Sequence, residues 1–175
     1  MKKIILYAKG IDRPGIISDI TNEINLLNGN IETSKMIKLE SIFNILMLVQ
    51  IKEKKIISLK EKLNKISNLS IEFNNTEETD SQFERMFFFR LKGADNEGII
   101  HIFTNYFYKN KINILDLESE VSNAPVTGQT LFFLKSRILV PNNLNYSDIK
   151  NDLIDLSNKH NVAIKFKKFD ISMDY

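Results

Sequence analysis

Two short segments of the sequence carry the residue types best suited to holding a small ligand. They are Gly10–Ile17, with the sequence GIDRPGII, and Gly93–Ile100, with the sequence GADNEGII. An apolar helical pattern follows each segment, so both are predicted to lie where a strand passes into a helix. The free backbone N–H groups and the dipole of a helix start favour an anion, and the carboxylate of an amino acid would suit such a place.

The candidate contact residues share this position at the helix start. They are Asp12, Arg13, Gly15 and Ile16 in the first segment, and Asp95, Asn96, Gly98 and Ile99 in the second. The backbone at Gly15 and Gly98 would face the ligand carboxylate. Asp12 and Asp95 would orient the loop or meet the ligand amino group. The second glycine of each segment suits plain packing of a helix against a strand equally well, and the residues alone leave both interpretations open.

Other residues of the segments have predicted structural roles. Gly10 and Gly93 would permit a backbone turn that a residue with a Cβ disfavours. Asp12 and Asp95 stand where an N-cap side chain would accept from free N–H groups. Pro14 suits the first turn of a helix, where its missing N–H costs nothing.

The two segments belong to an internal repeat with an offset of 83 residues, from Gly10 to Gly93. The same offset relates Thr21 to Thr104, and Asn30-Ile31 to Asn113-Ile114. A constant offset over so many residues indicates two copies of one unit. We expect a first domain at residues 1–74, a linker at 75–84 and a second domain at 85–175. The linker is polar and acidic and has no apolar periodicity.

Each repeat has the apolar pattern of strand, helix, strand, strand, helix, strand. In the first helix Ile16, Ile20 and Ile24 share one face, and Asn28-Gly29 is typical of a helix end. The predicted fold class is therefore α+β, with two consecutive ferredoxin-like βαββαβ units whose helices cover one face of an antiparallel sheet.

Two strands have further predicted properties. Strand 43–51 is apolar on both faces, so we expect it to pack against its helices on one side and against another sheet or subunit on the other. In strand 113–121 the acidic residues Asp116, Glu118 and Glu120 alternate with apolar ones, which predicts one solvated and one buried face.

The composition excludes several classes of protein. The chain has no Cys, which rules out disulfide scaffolds and thiol nucleophiles. Its formal net charge of +2 lacks the basic excess typical of nucleic-acid-binding proteins. No apolar run approaches the length of a membrane helix, so we expect a cytoplasmic protein without membrane contact.

Catalysis and RNA binding are the competing interpretations. The two histidines, His101 and His160, fall in no HExxH pattern, and no GxSxG or P-loop pattern occurs. We therefore expect no enzyme, no catalytic residues, no metal site and no cofactor. RNA-recognition domains share the ferredoxin-like fold, and Phe87–Phe89 lie on a predicted strand. The RNP1 pattern is absent, however, and core packing is the expected role of Phe87 and Phe89.

Residues of both repeats resemble motifs of a known family. Gly10–Ile16 with Asn30-Ile31 resembles the opening motif of ACT domains, βαββαβ modules that bind amino acids and regulate the protein carrying them. Asn113–Leu117, Ala124–Gly128, Leu131-Phe132 and Val140-Pro141 resemble the tandem-ACT family of the glycine cleavage system transcriptional repressor. Glu97 departs from the motif, which usually has proline there. Its carboxylate could repel an anionic ligand or pair with an amino group.

The resemblance implies an amino-acid-responsive regulatory protein. Members of that family act through contact with a protein partner such as a transcriptional activator rather than by binding DNA, and glycine is the implied signal. A homodimer is compatible with this picture, since ACT ligand sites often form where two domains meet. The alternatives are a stand-alone amino-acid-binding ACT sensor with another partner and, further off, an RNA-binding ferredoxin-like module.

Overall fold

The computed structural model of the protein describes residues 1–76, 84–94, 97–123, 128 and 130–169. The chain divides into two compact units, Met1–Thr79 and Asp80–Tyr175, called unit 1 and unit 2 below. The predicted domain limits at 74 and 85 remain predictions, because most of the linker between them lies outside the described residues.

Unit 1 consists of four strands and two helices joined in the predicted order. The elements are β1 (Lys2–Ile11), α1 (Ile16–Leu26), β2 (Asn30–Leu39), β3 (Ile42–Ile51), a short 3-10 turn (Glu53–Lys55), α2 (Ile56–Leu63) and β4 (Leu69–Asn75). The strands form one antiparallel sheet in the order β2-β3-β1-β4.

Unit 2 repeats this arrangement. Its elements are β5 (Glu84–Ala94), α3 (Ile99–Lys109), β6 (Asn113–Asn123), β7 (Thr130–Pro141), α4 (Tyr146–Lys159) and β8 (Val162–Lys168). The sheet order is β6-β7-β5-β8, again antiparallel throughout. The predicted fold class, two consecutive βαββαβ units with helices on one face of each sheet, is confirmed.

Each unit has its own hydrophobic core between its sheet and its helices. The core of unit 1 includes Ile4, Leu6 and Ala8 from β1, Ile16, Ile20 and Ile24 from α1, and Leu59 and Leu63 from α2. In unit 2, Phe87 and Phe89 are 3% and 0% exposed, which confirms their predicted core role. The ring of Phe89 lies against Phe103 and Phe107 of α3 at centroid distances of 5.3 and 5.2 Å.

The end of α1 follows the predicted chemistry. Asn28 has a positive φ of 55°. Gly29 donates its N–H to Ile24 O at 2.9 Å and Asn28 to Asn25 O at 2.8 Å, which is the Schellman pattern that satisfies the last carbonyl groups of a helix. α3 ends in the same way, with Lys111 at a φ of 55° and Ile112 donating to Phe107 O.

One strand prediction stays open and one needs correction. On β3 the residues facing the helices are buried, while Ile42 and Leu46 on the opposite face are 43% and 46% exposed, so packing of that face against another sheet or subunit stays a prediction. On β6 the apolar Leu115 and Val121 are 41% and 52% exposed instead of buried. A register shift after Ile114 interrupts the regular alternation of that strand.

In the described parts of the chain, no helix is long and apolar enough to cross a membrane.

Candidate ligand site at the first helix of each unit

The first glycine of each repeated segment lies within a strand. Gly10 is in β1 and Gly93 is in β5, and neither has a positive φ, so the predicted backbone turn at these positions is wrong. A Cβ on Gly10 would lie 2.2 Å from the backbone oxygen of Asn68, and one on Gly93 would lie 2.5 Å from Val162 Cγ1. These glycines are required because the chain entering the last strand of the unit passes directly against them.

The second glycine of each segment is the N-cap of the helix. Gly15 has φ 91° and Gly98 has φ 77°, both in the left-handed region that favours glycine. A Cβ on Gly15 would meet only the Arg13 guanidinium, at 3.8 Å, and a Cβ on Gly98 would meet nothing within 4 Å. The alternative of tight helix-to-strand packing therefore does not hold for these two glycines, and the space beside each helix start is open.

Asp12 holds the loop instead of capping the helix. Its N–H donates to Ser41 O at 2.9 Å, and its carboxylate pairs with Lys38 Nζ at 2.8 Å. The predicted N-cap role of Asp12 is wrong, because Gly15 occupies the cap position and no side chain caps α1. Pro14 accordingly precedes the cap and lies outside the first turn.

Arg13 provides a positive charge beside the start of α1. Its guanidinium donates to Asp19 Oδ2 at 2.8 Å and to the Pro14 carbonyl at 3.2 Å. The Arg13 side chain remains 37% exposed, and a guanidinium has more donors than these two contacts use. The Asp19 contact holds the charge at the helix start and leaves donor capacity for a further anion.

The helix start itself provides backbone donors. The first helical bond of α1 runs from Asp19 N–H to Gly15 O at 2.8 Å, so the N–H groups of Ile16, Ile17 and Ser18 have no acceptor within the helix. The Ile16 side chain is in the core at 2% exposure. Ile16 could therefore contact a ligand only through its backbone.

In unit 2 the corresponding loop is only partly described. Asp95 and Asn96 lie outside the described residues. Ile102 donates to Gly98 O at 3.1 Å, which gives α3 the same kind of start as α1, and the Ile99 side chain is 3% exposed. Glu97 is exposed and places a carboxylate where unit 1 has Pro14.

Three residues of the unit 1 loop environment were not predicted from the sequence. They are Lys38 and Ser41, which hold Asp12, and Asp19, which holds Arg13. The two contacts of Asp12 come from a hairpin that is distant in sequence, so no local pattern indicates them. Asp19 lies on the first turn of the predicted helix, where a basic residue shortly before it was the available signal.

Two acidic residues of β6 form ion pairs. Asp116 pairs with Arg137, and Glu118 pairs with Lys135. Within the described residues, no group of His, Asp and Glu could hold a metal ion.

Comparison with known families identifies the class of unit 1. Residues 2–74 match the family model of the ACT domain. Unit 1 is therefore an ACT domain, and unit 2 repeats its fold. The resemblance drawn from the Gly10–Ile16 motif is confirmed. The Ala124–Gly128 segment, which carried part of the resemblance in the second repeat, lies outside the described residues except for Gly128.

Solved structures of similar length match nearly the whole of this chain. One, an unknown protein from Galdieria sulphuraria, is 26% identical with a TM-score of 0.86, and the match covers 97% of this chain and 99% of that one. Another, a candidate glycine cleavage system transcriptional repressor, is 20% identical with a TM-score of 0.69, covering 96% and 98%. At 20% identity, the similarity to the second structure shows a shared fold and no more. Comparison with curated proteins gives no match.

Proposed function

We propose that this tandem protein is an amino-acid-responsive regulator that resembles the glycine cleavage system transcriptional repressor and acts through contact with another protein. The observation that carries the proposal is the loop before α1. There an open left-handed glycine, free helix N–H groups and the partly exposed guanidinium of Arg13 meet in a unit that matches the ACT domain model.

The chemistry of this loop suits the two charged ends of a free amino acid. The ligand carboxylate would accept from the N–H groups of Ile16 and Ile17 and from Arg13, because a helix start and a guanidinium both favour an anion. The ligand amino group would pair with Asp12, sharing that carboxylate with Lys38. We propose glycine as the ligand on the resemblance to the repressor family.

Regulation requires that the ligand favour one of two states of the protein. A ligand that binds the partner-bound and free forms equally tightly shifts nothing. The proposed partner is a regulatory protein such as a transcriptional activator, and no direct contact with nucleic acid is part of the proposal. A homodimer could supply further contacts at the ligand site.

A thermal-shift screen against the standard amino acids tests ligand binding. A ligand at about 100 times its Kd adds roughly 2.7 kcal/mol to the free energy of unfolding, which raises Tm by about 5 to 10 °C for a chain of this length. A selective rise with glycine supports the proposal. The absence of a rise with any amino acid overturns the sensor mechanism.

Matched variants locate the site. We expect Gly15→Val to abolish glycine binding, and Gly98→Val tests in the same way whether the unit 2 loop takes part. Arg13→Gln leaves the cap intact and should weaken binding by about tenfold, since a hydrogen bond to a charged group is lost. Lys54→Gln is the control, because Lys54 is exposed and follows β3 at the other end of the sheet. Equal weakening by Arg13→Gln and Lys54→Gln would contradict the assignment.

A gene deletion separates the repressor role from the alternative of a stand-alone sensor with another partner. Transcription of the glycine cleavage genes should rise in the deletion strain and fall again when the wild-type gene is restored. Glycine binding in vitro together with unchanged transcription would favour the alternative.

A further inference from the structure

The outer face of the second sheet, the side away from the helices, carries an unusual concentration of positive charge. Alternate residues of the strands point to this face. They are Phe88, Arg90 and Lys92 of β5, Phe133, Lys135 and Arg137 of β7, and Lys165 and Lys167 of β8.

The charges form a ladder across three strands. Arg90 is directly opposite Lys135 of β7 on one side and Lys165 of β8 on the other. Like charges directly opposite each other in a sheet destabilise it. Glu118 pairs with Lys135 at 2.6 Å and relieves that end of the ladder. Among the described residues, Arg90, Lys165 and Lys167 have neither an ion-pair nor a hydrogen-bond partner, and all three are exposed.

The same fold forms without these cations in unit 1. The internal repeat places Tyr7 where unit 2 has Arg90, and the strand registers place Glu72 and Asn74 where unit 2 has Lys165 and Lys167. The sheet architecture therefore does not require a cation at any of these positions. A cluster that weakens the sheet and is not needed by the fold indicates a binding role.

The cations surround a depression. A hollow of about 130 Å³ is lined by Phe88, Arg90, Lys165 and Lys167. The Phe88 ring is half-buried and lies against the Phe169 ring at a centroid distance of 5.0 Å. The hollow thus combines an anchored apolar surface with three charges, and its volume suits a single small group better than a polymer.

We propose that this hollow binds the phosphate group of a small organic phosphate. Three cations around one small space call for more than the single negative charge of a carboxylate, and a phosphate monoester carries about two at neutral pH. The planar guanidinium of Arg90 can donate two hydrogen bonds to phosphate oxygens, and the ammonium groups of Lys165 and Lys167 add two further positive charges. Phe88 provides a surface for the organic part of the ligand.

A small ligand fits this face better than single-stranded nucleic acid does. Base stacking needs free aromatic rings. Here Phe88 packs against Phe169, and Lys92 Nζ lies over the Phe133 ring at 5.4 Å. Asp116 and Glu118 of β6 border the same face and already pair with Arg137 and Lys135, so these two cations are not available to a nucleic-acid backbone running past the hollow.

The test is a titration of the full chain with inorganic phosphate, phenyl phosphate and a single-stranded oligonucleotide, followed by calorimetry or backbone NMR shifts. We expect phenyl phosphate to bind more tightly than inorganic phosphate, with shifts at Arg90 and Lys165. Absence of phenyl phosphate binding at about 1 mM overturns the proposal. Tighter binding of the oligonucleotide than of phenyl phosphate overturns the assignment to a small ligand.

Variants taken from unit 1 keep the test independent of folding, because the same fold already accepts these residues. Arg90→Tyr and Lys165→Glu should each weaken phosphate binding by about tenfold. Phe88→Ile should remove the preference for phenyl phosphate while inorganic phosphate still binds. Lys150→Glu on α4 is the charge-matched control and should have little effect.

Equal weakening in the control and in Lys165→Glu would show a general charge effect and overturn the site. Glycine binding by the Arg90→Tyr variant should be unchanged, so the two proposed sites can succeed or fail separately.

Discussion

Where unit 1 places Tyr7 between Leu46 and Glu72, unit 2 places Arg90 between Lys135 and Lys165. The neighbouring residues on the helix side remain apolar and buried in both units, as Leu6 and Phe89 illustrate. The inner and outer faces of the two sheets are therefore under different constraints. Packing density fixes the inner face of each sheet, while the outer face is free to acquire a different chemistry in each copy.

The loops before α1 and α3 share their glycines but differ in their charged residues. Both units keep a glycine that another segment presses against, Gly10 or Gly93, and a glycine with a left-handed backbone, Gly15 or Gly98. The charged residues between them differ, since unit 1 has Arg13-Pro14 where unit 2 has Asn96-Glu97. The environments of the two glycines are thus common to both units, and the charged residues between them are specific to each.

The largest effect should come from filling the space at the first glycine. We expect Gly10→Val to destabilise unit 1 by about 3 kcal/mol or more, because the Cβ alone would lie 2.2 Å from a backbone oxygen. Gly93→Val should cost less, because the nearest atom there is the side-chain carbon Val162 Cγ1 at 2.5 Å and not a backbone oxygen at 2.2 Å. Urea unfolding followed at probes in each unit measures both. A larger loss for Gly93→Val would contradict the packing account.

The second glycine should give a smaller and more equal pair of effects. Gly15→Ala and Gly98→Ala each place a Cβ in a left-handed backbone, which costs roughly 1–2 kcal/mol. Neither new methyl group meets a close contact, so the two losses should agree. Denaturant midpoints measure them. A much larger loss of stability at one position would show that the glycine there is also needed for packing, and that the two glycines have different roles.

The second helices of the two units should differ by about 1 kcal/mol in the contribution of the N-cap. In α4, Asn145 Oδ1 accepts the N–H of Ser147 at 2.9 Å, whereas α2 has Lys55 at its N-cap position and no side-chain cap. Asn145→Ala should therefore destabilise unit 2 by about 1 kcal/mol. Asn145→Ser is the control and should be nearly neutral, because serine also caps. An equal loss in both variants would contradict the capping role.

The smallest expected effect concerns the contact between the two helices of each unit. In unit 1 Lys62 pairs with Glu23 at 2.9 Å, and in unit 2 the Tyr106 hydroxyl donates to Asp152 at 3.0 Å. Burial raises the pKa of Tyr106, and the hydrogen bond to Asp152 raises it further. The protonated phenol is thus the form that stabilises the fold. This stability is fully present below the ordinary tyrosine pKa of about 10 and is lost as pH rises through the higher folded value.

Ultraviolet titration of the five tyrosines measures this effect. One should ionise later than the other tyrosines in the wild-type protein, and the late step should vanish in Tyr106→Phe. Asp152→Asn should shift that step to lower pH. A late step that persists in Tyr106→Phe would assign it to another tyrosine.

The order of elements could be predicted because each depends on local apolar spacing that the repeat presents twice. The role of Asp12 could not, since its partners Lys38 and Ser41 depend on the register of a distant hairpin. The exposure of Leu115 has a similar origin, because the shift after Ile114 is a property of the strand pair. Glycines at the repeated positions were found from the sequence, but only the three-dimensional contacts separate the one required for space from the one required for its backbone angle.

The hydrogen bond from Asp12 N–H to Ser41 O joins the loop before α1 to the turn between β2 and β3. That turn is tight, with Glu40 at a positive φ of 53°, and it ends an outer strand whose residues are nearly all exposed. A ligand that orders the loop before α1 would therefore also restrict the motion of the turn between β2 and β3. A molecule that binds the loop would lower the entropy cost of ordering the turn, and a molecule that binds the turn would lower that cost for the loop. Two such ligands would bind with positive cooperativity without any change in the average structure.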